Sequence, residues 1–286
     1  MRKFVCILLL LLSTIGVFAQ RSAVGDFKFG NYLIGKGLMR DALTLTHTLA
    51  DDYTPAALDT MRYLRGWTLY HNQQFAPAAT AFAEVSTSSP LYAKSALFGV
   101  VCDVESGNIE GAKVRLDNLA ATPTGEFHRE IIAFERGGLA LLEGNRAEYE
   151  RCREQYTYNT PTLVEHQQKL NHIADTTIPH RSPLVAGLAS AVVPGLGKIY
   201  AGDLSGGVAS FLAVGAFAAL TANSWSKAGT PNNWRTITYG TIGSLLYISN
   251  IFGSVASVKV YYQNIEEINH QAVMYSIHIP LRSIFD

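Results

Sequence analysis

Two hydrophobic patterns divide the chain. From Phe27 to about Tyr158, apolar residues return every three or four positions between charged and polar ones, the spacing of amphipathic helices. From Ser182 to Val258 that alternation disappears. The 77 residues there hold only four charged side chains, Lys198, Asp203, Lys227 and Arg235, among Gly, Ala, Ser, Leu, Ile, Val and Phe. Residues 204–222 and 236–258 are uncharged and mostly apolar, and each run reaches the roughly 20 residues that a helix needs to cross a hydrocarbon core of about 30 Å. A polar connector, residues 223–235, separates them. The pattern predicts a membrane hairpin of two helices. A short apolar helix opening at Ser182 and Pro183 is expected to lie against it rather than to span. Beyond Lys259 the helix is expected to continue over 261–270 as an amphipathic, wet segment. Residues 272–286 read equally as a strand-like tail or as a membrane-surface segment.

The amphipathic half repeats. Gly66, Phe75, Ala78 and Phe82 return 34 residues later as Val100, Ile109, Ala112 and Leu116, with Pro90 closing the first unit. Weaker copies flank the pair: Gly30, Gly37, Met39 and Ala42 upstream, and Gly137, Gly144 and Tyr149 downstream. Four helical hairpins are therefore expected. Small residues would let the two helices of a hairpin approach, and larger apolar ones would bury against the next hairpin, because a single repeat cannot cover its own apolar face. The stretch from Leu64 to Phe82 resembles the tetratricopeptide repeat. That resemblance implies a stack with a concave groove for a peptide or a partner protein. The repeat-packing residues are Gly66, Phe75, Ala78, Phe82, Ala112 and Gly137. After Asn159-Thr160-Pro161, a helix over 163–174 carries Leu163, Leu170, Ile173 and Ala174 on one stripe, as a cap for the open end of the stack would. A linker with Pro179 and Pro183 leads into the apolar third.

Where that third begins, Pro194-Gly195-Leu196-Gly197-Lys198-Ile199-Tyr200-Ala201-Gly202 forms a distinct box. Pro194 should end the short helix, Gly195 and Gly197 permit a sharp reversal, and Lys198 with Tyr200 suits the headgroup level. A phosphate-cradling loop would need Gly-x-x-x-x-Gly-Lys-Ser/Thr after a strand, and neither is present. The box resembles the PGxGxxYxG element of two-helix membrane domains in exported bacterial proteins of unassigned function. More loosely it is similar to the GxxGxHxFYxG core of the two-transmembrane-helix domain family, whose histidine is not met here. The resemblance covers about residues 182–259 and implies membrane anchoring.

Composition adds a destination. Arg2 and Lys3, the apolar run 4–12 and Val17-Phe18-Ala19 follow the order of a secretory signal cleaved before Gln20. Cys6 precedes the apolar core and is no lipid-attachment site. Export leaves Cys102 and Cys152, which form either a bridge or two separate buried thiols. Lys227 and Arg235 flank the connector without an acidic neighbour. The positive-inside rule then places the connector in the cytoplasm and the repeats in the periplasm, with the outer membrane as the alternative destination. Small residues four apart, Ser249, Gly253 and Ser257 in the second run and Ala209 and Ala213 in the first, suit close helix packing within the hairpin, or a homodimer.

The 23 basic and 23 acidic residues balance, and no Lys/Arg cluster tracks a phosphate backbone, so a nucleic-acid partner is not expected. Glu267 and His270 stand at i and i+3 without a second Glu-x-x-His, His166 and His172 fall on different helix faces, and no serine has a Gly-x-Ser-x-Gly context. No catalytic, cofactor or metal site is expected. The sequence thus predicts an all-α chain: signal 1–19, tetratricopeptide-like hairpins 20–158, cap and linker 159–181, membrane domain 182–260 and amphipathic tail 261–286. The expected role is a membrane-anchored periplasmic scaffold or adaptor that binds a protein or peptide of the cell envelope, alongside membrane lipid and with a homo-oligomer possible. The alternative is a subunit of an envelope transport or assembly complex whose membrane hairpin makes the functional contact. An enzyme is the third class.

Overall fold

The computed structural model describes residues 22–47, 53–123 and 126–285, and the expected signal with Cys6 lies outside the described residues. Those residues are all-α. In chain order the helices are α1 (Ala23–Gly35), α2 (Met39–His47), α3 (Pro55–His71), α4 (Phe75–Ala83), α5 (Tyr92–Glu105), α6 (Ile109–Ala120), α7 (Glu126–Leu142), α8 (Arg146–Arg153), α9 (Pro161–Asp175), α10 (Pro183–Val192), α11 (Leu196–Tyr200), α12 (Leu204–Ala228) and α13 (Trp234–Phe285). They form two compact units. One takes the chain up to Gln168 together with the residues from Ser276 onward; the other runs from Lys169 to Tyr275.

In the first unit, α1 to α8 pair as four hairpins, and one turn joins each pair. A left-handed residue ends the first helix of every hairpin: Gly37, Gln73, Gly107 and Gly144, at φ of 74°, 58°, 79° and 71°. The next amide then reaches back five residues, from Leu38 to Leu33 (2.9 Å), Gln74 to Leu69 (2.9 Å), Asn108 to Asp103 (2.8 Å) and Asn145 to Ala140 (2.8 Å). This bond closes carbonyls that the helix end would leave open. In the last two hairpins the amide's own side chain caps the helix that follows: Asn108 Oδ1 accepts from Gly111 N, and Asn145 Oδ1 from Glu148 N.

Close approach inside the hairpins is set by glycine. A Cβ on Gly66 would stand 2.6 Å from the Phe82 ring. In the next hairpin the repeat position Val100 is fully buried, and a close approach falls at its neighbour Gly99, where a Cβ would meet the Arg115 guanidinium at 2.7 Å. Ala78, Phe82, Ala112 and Leu116 are buried where the repeat places them, and Phe75 is half-buried with its ring edge on Tyr70. Gly137 faces the Tyr156 hydroxyl, which would collide with any side chain there.

Two buried carboxyls sit on α7. Glu130 accepts from Thr157 N (3.1 Å), Thr160 Oγ1 (2.7 Å) and Gln167 Nε2 (3.0 Å), fastening the start of α9 to α7. Burial pulls its carboxyl upward, but these hydrogen bonds outweigh burial and hold it below the usual carboxylate range. Glu135, with both oxygens buried and no hydrogen-bond partner, is pushed well above that range by burial. Leu163, Leu170 and Ala174 of α9 are buried and Ile173 is half-buried.

The second unit corrects several boundaries. Helix α12 starts at Leu204 and runs on to Ala228, and α13 opens at Trp234, so the connector shrinks to residues 229–233 with Gly229 as a left-handed cap at φ 66°. The tail is neither strand-like nor a separate surface segment, because α13 continues as one helix through Phe285. Its final residues, from Ser276, belong to the hairpin unit. Helices α12 and α13 are both long and apolar enough to cross a membrane. At ten residues, about 15 Å, α10 is too short.

Candidate functional site

The box lies in the second unit, at the turn between α10 and α12. Val193, extended at φ −129° and ψ 115° before Pro194, stops α10. Gly195 then takes φ 88°, which favours glycine, and its missing side chain leaves room for the Gly207 carbonyl. Gly197 is buried against the Ala186 carbonyl in the same way. The chain therefore reverses through backbone-to-backbone contacts that a single methyl group would block. Gly202, at φ 91°, makes the second reversal, and Asp203 caps α12 through Gly206 N (2.8 Å).

Polar side chains of α10 and α13 satisfy the amides that this reversal frees. Gly195 N donates to Asn250 Oδ1 (3.1 Å), and Gly197 N donates to Ser190 Oγ (2.9 Å). The Ser190 hydroxyl also pairs with Ser254 (2.6 Å), whose own Oγ donates to the Asn250 carbonyl (2.8 Å). All three side chains are buried. In apolar surroundings every unpaired backbone amide costs several kcal/mol, roughly the free energy that makes irregular backbone rare there. Asn250, Ser190 and Ser254 remove that penalty and are the residues the sequence reading missed. Asn250, Ser254 and Val258 form the buried stripe at i, i+4 and i+8. The expected stripe fell one position earlier, and Ser249 is exposed, as are Ala209 and Ala213 on α12. Of the small residues expected to pack, Gly253 and Ser257 are half-buried, with Gly253 against the Lys198 side chain, whereas Ser249, Ala209 and Ala213 lie off the packed face.

Lys198 and Tyr200 are used inside the unit. Lys198 Nζ donates to Ser210 Oγ (2.9 Å), and the Tyr200 hydroxyl accepts from Ser182 N (2.9 Å). Tyr262 accepts from Arg181 N (2.8 Å), while the Arg181 guanidinium stacks 3.8 Å from the Tyr261 ring centre. Pro194, Gly195, Gly197, Lys198, Tyr200 and Gly202 are thus brought together as a rigid knot that joins the short helix to both long ones.

The second candidate lies in the hairpin unit, around Trp67 and Tyr70, whose helical spacing with Tyr92 in the sequence reads as repeat core rather than as a ligand cage. Helices α3 and α5 present Tyr63, Trp67, Tyr70 and Phe98 as a continuous ring cluster, with Trp67 on Tyr70 at 5.4 Å and on Phe98 at 5.0 Å between centroids. The end of α13 lies on this face. Ile277 and Leu281 are fully buried, Tyr70 hydrogen-bonds His278 Nε2, and Phe285 packs 6.4 Å from Phe98. Lys94 closes the seat: its ammonium donates to the Phe285 carbonyl (2.8 Å) and lies 5.3 and 5.6 Å from the Tyr63 and Trp67 ring centres. A cation there meets the carbonyl end of the helix, where the backbone dipole is negative. Burial and the Arg282 charge hold the His278 imidazole below its ordinary pKa.

A charged cleft of about 350 Å³ on the same unit is lined by Lys113, Asp117, Arg136 and Glu143. Its charges pair with one another, Lys113 with Glu143 at 2.6 Å and Arg136 with Asp117 at 2.5 Å. Cys102 and Cys152 are two separate buried thiols, pushed up chiefly by burial to about 12 and about 11, which keeps them protonated and unreactive. Among the described residues, no group of three or more His, Cys, Asp or Glu side chains gathers as a metal site. Compared with known proteins, the chain matches no family model, no curated protein and no solved structure, so its functional reading rests on its own residues.

Proposed function

We propose that this chain is a membrane-anchored protein-protein interaction module of the cell envelope, in which a tetratricopeptide-like stack facing the periplasm receives a helical or peptide segment of a partner. The observation that carries the reading is the aromatic face of α3 and α5, because a face that holds one amphipathic helix has the shape and chemistry to hold another. Anchoring is supported by large apolar side chains that the second unit leaves uncovered, among them Leu212 at 63% exposure, Leu245 at 60% and Phe252 at 71%. Helices that formed a water-facing core would bury these groups.

The test combines fractionation with crosslinking. Carbonate-washed membranes should retain the chain, and detergent should release it. A photo-crosslinking residue at His71, half-buried on α3 beside the Trp67 and Tyr70 rings and so part of the receiving face itself, should yield an adduct with a protein partner. A chain that stays in the aqueous fraction without detergent, or that yields no protein adduct at this position, would remove the reading.

A further inference from the structure

The aromatic face is already filled by the chain's own C-terminal segment, and three features of that segment make it a poor permanent fixture. Pro280 lies inside α13, has no N–H to donate to the Ser276 carbonyl, and so leaves the helix weakest where it passes from one compact unit into the other. The Ser276 hydroxyl is buried there without a hydrogen-bond partner. His278 is held in the seat in a form whose protonation burial opposes. The first two are local costs that would vanish if residues 276–285 left the face, and His278 adds a third only on acidification, while the ring cluster beneath would lose its cover.

We infer that the face on α3 and α5 is a helix-receiving site with an exchangeable occupant, which residues 276–285 fill until a partner helix displaces them. The partner's chemistry can be read from the segment it replaces. It is an amphipathic helix with apolar residues at i, i+4 and i+8, as Ile277, Leu281 and Phe285 provide, and its C-terminal carbonyl end lies within reach of the Lys94 ammonium. The mechanism is population shift: an outside helix binds only the fraction of molecules whose seat is open, so the resident segment weakens its apparent affinity by that fraction. The inference deepens the proposed function, since it names the surface and the partner class on which that reading depends.

The experiment uses the full chain in detergent and a fluorescent peptide of residues 271–286 as the probe. Leu281→Ala in the chain loosens the resident segment while leaving every face residue in place. This variant should bind the peptide at least about tenfold more tightly than the unaltered chain, since removing a buried Leu side chain costs more than that factor. A peptide carrying Asp at positions 277 and 281 should bind neither chain. Hydrogen exchange on the unaltered chain provides the check that needs no variant. Amides of 276–285 should exchange through a local opening, faster than those of α5, and faster still with excess peptide present. Equal binding by the two chains, equal binding of the Asp peptide, or exchange of 276–285 only at the rate of α5 would each overturn the inference. The last result would show a permanent structural helix and would leave membrane anchoring and partner binding elsewhere on the stack untouched.

Discussion

At the residue scale, two positions show how far one atom decides this structure. Gly195 and Gly197 approach the Gly207 and Ala186 carbonyls so closely that a methyl group has nowhere to go, and Gly195 also takes a left-handed φ. Gly195→Ala and Gly197→Ala should each lower the stability of the detergent-solubilised protein by about 3 kcal/mol or more, the size expected when a clash is added to backbone strain. Gly215, which faces open space, is the control and should tolerate Ala. Thermal unfolding of the three variants side by side checks this. The box was legible in the sequence because its spacing of Pro, Gly and Tyr is unusual. Its partners were not: Asn250 is 55 residues from Gly195, and nothing in a local pattern says which face of a uniformly apolar helix turns inward. His278 gives the second residue-scale expectation. Its pKa in the seat lies below the ordinary value of 6.5, so the displaced segment takes up the proton more readily than the seated one. Seating should be fully favourable above about pH 6.5 and should weaken as pH falls below it. Exchange of the 276–285 amides, relative to α5, should therefore accelerate between pH 7 and pH 5 in the unaltered chain. In His278→Gln that relative acceleration should be lost.

At the scale of elements, the four hairpins share one turn, and only the second departs in residue type. Gln73 occupies the left-handed position at φ 58° where the other three hairpins have Gly37, Gly107 and Gly144. An L-residue with a side chain pays roughly 1 kcal/mol for that conformation, and glycine does not. Gln73→Gly should accordingly stabilise the chain by about 1 kcal/mol less the extra entropy glycine brings to the unfolded state, a net gain of a few tenths visible as a small upward shift in Tm. A loss of stability would mean that the Gln73 side chain contributes more than its backbone costs. The glycines at 37 and 144 were visible as weak copies of a repeat, and the structure supplies the reason they recur: each closes a first helix. The period holds at the turn, where Gln73 and Gly107 stand 34 apart, and Val100, 34 residues after Gly66, is fully buried. What it does not give is the further close approach of Gly99 to Arg115, because such a contact depends on which face meets the neighbour rather than on a constant offset. The tail was illegible for a different reason. Its apolar residues have a helical stripe, but the face they cover is built from α3 and α5, about 200 residues earlier in the chain, and no short-range signal joins them.

For the whole molecule, the choice of solvent around α12 and α13 decides everything else, and two side chains can report it. Leu212 and Leu245 lie near the middle of the two apolar runs, and both point away from the packed interior of their unit. On a water-facing surface, an exposed Leu→Asp change moves stability by no more than about 0.5 kcal/mol and favours solubility. In a lipid-facing helix the same change places a carboxylate near the bilayer centre, at about 2.5–3.5 kcal/mol on an insertion scale. Leu212→Asp and Leu245→Asp should therefore reduce the fraction of chain recovered in carbonate-washed membranes, with the double variant lowest. Leu38→Asp on the hairpin unit, also exposed, should leave that fraction unchanged. The comparison separates the two environments because all three side chains are largely exposed on their own units, so the surrounding medium is the main difference. If both membrane-run variants partition and fold like the Leu38 variant, the apolar helices face water or another protein, and the proposed lipid anchor is removed.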